Sequence, residues 1–115
     1  MTPDPLRRGD AVWVDLDPPR DREQAGTRPA VVICSDDYLA SVPGLVIVIP
    51  VTTRDRRWPH HVRLSGEHLA LDRPSFAMTE QPRTIARARI LRRAGTVGAQ
   101  PMAEIDLWLR DFTDL

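Results

Sequence analysis

Glu23-Gln24-Ala25-Gly26-Thr27-Arg28-Pro29-Ala30-Val31-Val32-Ile33 passes from a polar, glycine-containing loop straight into a β-branched run that ends at Cys34. Pro29 lacks a backbone N–H and biases Arg28 towards an extended conformation, so it belongs at the first residue of a strand. Residues 29–34 are apolar at successive positions, which is the pattern of a strand covered on both faces, in the middle of a sheet. Arg28 is thereby set at the mouth of a buried strand, with Glu23 and Gln24 close by in the chain. Side chains presented by loops on a rigid scaffold are where binding and chemistry usually sit.

On the N-terminal side, residues 11–16 follow Gly9-Asp10 and read as a first strand with Trp13 in its middle. Residues 17–28 carry prolines and charges without apolar periodicity, and a strand connection of about twelve residues is commonly functional. On the C-terminal side, residues 35–40 suit a short helical turn capped by Ser35 or Asp36. After the Pro43-Gly44 turn, residues 45–51 form a second fully apolar run, with Pro50 marking its end. A charged loop over 54–59 leads to a half-exposed strand at 61–64. Further short strands are expected at 75–79 and 84–88, separated by Glu80-Gln81-Pro82-Arg83, and a last strand region spans 89–97. The period then changes: Met102, Ile105, Trp108, Leu109 and Phe112 recur every three or four residues, predicting an amphipathic helix with Pro101 as its first residue. Short strands with frequent turns and one terminal helix predict a mainly β fold. The expected form is a small antiparallel barrel with the helix packed on it, a single domain over residues 1–115.

Apolar residues at 42% and charged residues at 28% are those of an ordinary globular protein, and the one cysteine, Cys34, lies in an apolar run and reads as a buried small hydrophobe. No stretch approaches the length of a membrane span and the first residues lack a signal peptide's apolar region, so a cytoplasmic protein is expected. Sixteen basic and sixteen acidic residues cancel, yet every basic residue is an arginine, whose planar fork suits phosphate. Arg83, Arg87, Arg89, Arg92 and Arg93 fall within eleven residues that hold no acid. That run is either a basic binding face or a solvated strand face.

Several chemistries have no footing in the sequence. It has no phosphate-cradling glycine motif, no nucleophile elbow and no Cys/His set with zinc spacing. Asp36-Asp37 and Asp15-x-Asp17 read as solvated or capping carboxylates, so no metal site and no cofactor is expected. Metal-free cleavage of RNA is chemically feasible, because the 2′-hydroxyl is an internal nucleophile and positive donors can stabilise the phosphoryl oxygens. Arg28 suits that task, or else pairs with Glu23 or a loop aspartate. Thr52 is either a hydroxyl donor to phosphate or simply a β-branched strand end, and Thr53 is its neighbour on the opposite face. His60 and His61 are the usual kind of acid–base residue near neutral pH, but neighbours on a strand point to opposite faces. Arg54, Arg56, Arg57 and Trp58 form a basic and aromatic loop just after Thr52-Thr53, of the sort that holds single-stranded RNA.

The ordered set formed by residues 8–18, residues 23–32, Ile49-Pro50-Val51-Thr52-Thr53, Glu80-Gln81-Pro82-Arg83-Thr84-Ile85, Arg89 and Gly95-Thr96-Val97 resembles the PemK/MazF-type toxin endoribonucleases over nearly the whole chain. The resemblance implies an SH3-like barrel, usually a homodimer, with Arg28 and Thr52 as the catalytic pair and Glu23 contributing. It implies RNA contacts from Gln24, Thr53, the loop arginines with Trp58, and Gln81 and Arg83, with Gln81 reading a base edge. The implied activity is metal-independent, sequence-selective cleavage of single-stranded RNA to 2′,3′-cyclic phosphate and 5′-hydroxyl ends, blocked by a cognate antitoxin. The competing reading, a non-catalytic gyrase poison resembling the CcdB family, does not account for Glu23, Arg28 and Thr52 together.

Overall fold

A computed structural model describes residues 5–15 and 27–114. In chain order the elements are β1 (Asp10–Asp15), β2 (Thr27–Val32), α1 (Asp36–Ser41), β3 (Leu45–Thr52), β4 (His61–Arg63), β5 (Phe76–Met78), β6 (Arg83–Ala86), a 3-10 turn (Arg87–Arg89), β7 (Ile90–Thr96) and α2 (Ala99–Thr113). The strands pair antiparallel in the order β4-β5-β3-β2-β1-β7, and β6 also pairs with β3.

The fully apolar runs became the middle of this sheet. β2 lies between β1 and β3, and its alternate residues enter two separate cores. Val12, Val14, Ala30, Val32, Val46 and Val48 pack on one face with Cys34, Leu39 and Ile85. Ala11, Val31, Ile49 and Val51 pack on the other with Val62, Ala77, Met102 and Ile105. That is why neither β2 nor β3 alternates in polarity: both faces exclude water. α1 closes the first face through Leu39. Its first turn is capped by the Ser35 hydroxyl, which accepts from the Tyr38 N–H at 3.0 Å. α2 closes the second face.

One edge of β3 is shared. Residues Leu45–Val48 pair with β6, whereas Val51 and Thr52 pair with β5. The sheet therefore splits at the C-terminal end of β3 and curls. The curl closes through a seam at Leu69 and Gly95: the Ala70 N–H donates to the Ala94 carbonyl at 2.8 Å and the Thr96 N–H to His68 at 3.3 Å. Gly95 has φ +94°, and a Cβ there would fall 1.9 Å from the His68 carbonyl oxygen. Only glycine fits this crossing.

Four sequence expectations are corrected. α2 begins at Ala99, capped by Gly98, so Pro101 is its third residue; the first four N–H groups of a helix have no intrahelical acceptor, and proline is accommodated there too. The strand expected at 84–88 stops at Ala86, and the chain winds into the 3-10 turn. The strand expected to be half-exposed at 61–64 exposes only Arg63, and His61 is buried. The five clustered arginines do not form one basic face. Arg87 donates to the carbonyls of Leu39 (2.9 Å), Val42 (3.1 Å) and Leu45 (2.9 Å), tying down the end of α1. Arg89 donates to the Asp15 carbonyl at 3.2 Å, and Arg93 lies 3.6 Å from Asp10. Leu16 and the loop to Gly26, which includes Glu23 and Gln24, lie outside the described residues. Among the described residues no helix is long and apolar enough to cross a membrane.

Candidate active site

β2 and β3 run antiparallel with Ala30 opposite Pro50 and Val31 opposite Ile49. That pairing ends at Ala30 and Pro50; Arg28 and Thr52 lie two residues beyond it, at the neighbouring ends of β2 and β3. Both line a cleft of about 440 Å³, walled by Trp13, Pro29, Val51, Thr53, Leu71, Asp72, Arg73 and Ser75. Arg28 is exposed and makes no ion pair with another described residue. Thr52 is half-buried, and its hydroxyl oxygen accepts the Arg54 N–H at 3.1 Å. One lone pair is thus occupied while the O–H proton stays available to donate. Thr53, just past the strand end, also lines the cleft and is exposed.

Two guanidinium groups, Arg28 and Arg73, therefore border one concavity, with the Asp72 carboxylate beside them. Arg92 lies over the ring of Trp13, 5.0 Å from its centre, and adds positive charge behind the cleft wall. The chemistry on offer is recognition of a phosphodiester by cationic forks and a hydroxyl donor.

The loop after Thr53 runs over the surface. Arg54, Arg56, Arg57 and Trp58 are exposed, and the Arg57 N–H donates to Asp55 at 2.9 Å in a turn that takes Arg57 to φ 59°. Arg56 is already stacked on Trp58 at 5.0 Å. Gln81 and Arg83 do not line the cleft. The Gln81 side-chain amide donates to Glu80 at 3.2 Å and contacts the Met78 sulfur, so it is engaged by its neighbours.

Sequence reasoning missed part of this site. Trp13 reads from the sequence as core or dimer interface; it is half-buried, packs against the second core and also lines the cleft. Arg73 went unremarked, although Arg73-Pro74 repeats the Arg28-Pro29 dipeptide just ahead of β5, and that repetition was the available signal. The histidines were also misjudged. His60 precedes β4, so strand alternation does not separate it from His61. Its Nε2 lies 3.5 Å, and that of His61 3.1 Å, from the Glu80 carboxylate. Desolvation raises the Glu80 pKa, but hydrogen bonds from the backbone, His61 and Gln81 outweigh it and hold the carboxyl below its ordinary value.

A mostly antiparallel β sheet with a C-terminal helix and a cleft bordered by two arginines at its strand ends places the chain among small mainly β proteins with a terminal helix. Within that class the chain belongs to the PemK-like, MazF-like toxins of type II toxin-antitoxin systems, whose family profile matches residues 7–113. It is 38% identical over 115 residues to endoribonuclease MazF9 of Mycobacterium tuberculosis, covering 96% of this chain and 98% of that protein. It is 39% identical over 95 residues to the endoribonuclease toxin MazF of Escherichia coli K12, covering 82% and 81%. A crystal structure of MazE-MazF from Deinococcus radiodurans matches the fold with a TM-score of 0.80 at 27% identity, over 98% of this chain and 99% of that one.

Proposed function

We propose that this chain is an endoribonuclease toxin that cuts single-stranded RNA by attack of the 2′-hydroxyl and is neutralised by a cognate antitoxin. The observation that carries the reading is the placement of Arg28 and Thr52 on one cleft at neighbouring strand ends. The 2′-oxygen forms its bond to phosphorus as the bond to the 5′-oxygen breaks. The 2′-proton passes to Glu23 or to water, and the 5′-oxygen leaves with a proton from solvent, giving a 2′,3′-cyclic phosphate and a 5′-hydroxyl. Arg28 acts by charge and hydrogen bonding, since a guanidinium in a protein does not give up its proton. Thr52 donates its free O–H to a phosphoryl oxygen. No step needs a metal.

Thr53 and Gln24 border the reacting phosphate, and Arg54, Arg56, Arg57 and Trp58 bind flanking nucleotides, the Arg56–Trp58 stack offering a ready platform for a base. Gln81 and Arg83 reach RNA further along, and Gln81 reads a base edge once it releases Glu80. Together these contacts give sequence selectivity. The chain acts as one domain in the cytoplasm, as a homodimer. Exposed Leu107 and Phe112 on α2 and Leu91 on β7 are apolar surface of the kind that a second subunit or an antitoxin covers.

The test is cleavage of a long mixed-sequence RNA in EDTA, with the product ends mapped. Wild type should yield cyclic phosphate ends, and Arg28→Ala should lose at least about a hundredfold in rate. No cleavage by folded wild type would favour the non-catalytic reading, and undiminished cleavage by the variant would move the site.

A further inference from the structure

His60, His61 and Glu80 come from the loop before β4, from β4 itself and from the turn after β5, and none lines the Arg28–Thr52 cleft. Their donor atoms all lie within 4.8 Å of one another. We propose that Nε2 of His60, Nε2 of His61 and the Glu80 carboxylate form a site for a divalent zinc-class cation, which pins the loop before β4 to the turn after β5.

The donor set selects the metal. Two imidazoles and one carboxylate suit zinc, cobalt or nickel, whereas magnesium and calcium prefer oxygen alone. A tetrahedral ion about 2.0–2.1 Å from each donor needs donors roughly 3.3 Å apart. The Glu80 carboxylate already stands 3.1 and 3.5 Å from the two nitrogens. The rings are held in place by packing. His60 stacks on Trp58 at 5.5 Å and meets Phe112 edge-on at 5.8 Å, and His61 meets Trp58 edge-on at 4.9 Å. The side chains of His60 and Glu80 are 25% and 30% exposed, so the ion and a fourth, water ligand have a route in. The Glu80 carboxylate faces both imidazoles.

The affinity follows from one missing contact. A ligating histidine usually donates its other ring N–H to a carbonyl or carboxylate, and such partners are worth roughly 10–100-fold in affinity. Nδ1 of His61 is buried and has no partner among the described residues. Binding is therefore expected at micromolar zinc, well short of a closed structural site.

The experiment uses the full chain, stripped with chelator and dialysed, without RNA, so its outcome does not depend on the nuclease reading. Zinc is titrated calorimetrically into wild type, His60→Ala and Glu80→Gln, with circular dichroism confirming that each variant is folded; buried His61 is left intact. The expected result is one zinc per wild-type chain, binding at least about tenfold weaker in each variant. Cobalt should give the visible absorption of a four-coordinate ion in wild type only. Zinc should also raise the melting temperature of wild type more than that of either variant. Absence of saturable binding tighter than about 100 µM would overturn the proposal. So would binding that either variant leaves unchanged, which would put the metal elsewhere, for example at His68.

Discussion

In the proposed mechanism Arg28 and Thr52 act by different means, and substitutions should separate them. Arg28→Lys keeps the charge but gives up the planar fork, so it should recover part, and not all, of the rate lost in Arg28→Ala. Thr52→Val keeps the β-branched shape and removes the hydroxyl. It should slow cleavage by about a hundredfold with KM little changed, while Thr52→Ser stays within about tenfold of wild type. Single-turnover kinetics on a defined oligonucleotide would show both. Arg28 was legible in the sequence because its signal is local, a cation pinned before a proline at the head of an apolar run. Thr52 on its residues alone read as a β-branched strand end, and it was the family resemblance that singled it out. The place of Trp13 at the cleft and the grouping of Glu80 with the two histidines were not legible, because each depends on which strands meet and in what register. Adjacent residues say nothing of that, and the rule of strand alternation misled for His60 because the strand starts one residue later.

Among the elements, β2 and β3 carry Arg28 and Thr52 at their neighbouring ends, and their stability comes from burial on both faces. Ile49 is fully buried opposite Val31. Ile49→Ala should cost about 2–5 kcal/mol in denaturant unfolding and lower RNA cleavage only as far as it lowers the folded fraction. α1 offers a milder test. Ser35→Ala removes the cap on the Tyr38 N–H and should cost about 1 kcal/mol, with no effect on cleavage of folded protein. These strands were readable because an unbroken apolar run has few other uses in a chain of this size. The start of α2 was misplaced because proline is tolerated anywhere in the first turn, and the end of β6 because Arg87 turns aside to bind three carbonyls of α1 and the chain after it.

At the scale of the molecule, the sequence balances sixteen arginines against sixteen acids, and among the described residues the arginines do not gather into one basic surface. Arg8 shows where part of the charge goes. Its guanidinium pairs with Asp106 on α2 and donates to the Ile33 carbonyl at 3.1 Å, while its backbone N–H donates to Asp36 at 2.8 Å. One side chain thereby ties the start of the chain, the end of β2 and the terminal helix together. A cationic surface remains where Arg28 and Arg73 meet at the cleft and where the loop after Thr53 begins. Closure of the barrel rests on Gly95. Gly95→Ala would force a left-handed backbone on an L-residue, for about 1–3 kcal/mol, and would add the collision with His68. The melting temperature should fall by several degrees at least. The same seam also sets the order in which the molecule comes apart. A ring can be cut at one place without being unravelled, and the Ala70 and Thr96 amides are held only across that cut. In deuterated water they should therefore take up label during brief, partial openings, long before Val31, Val32 and Val48, which give up their protons only when the whole sheet is lost.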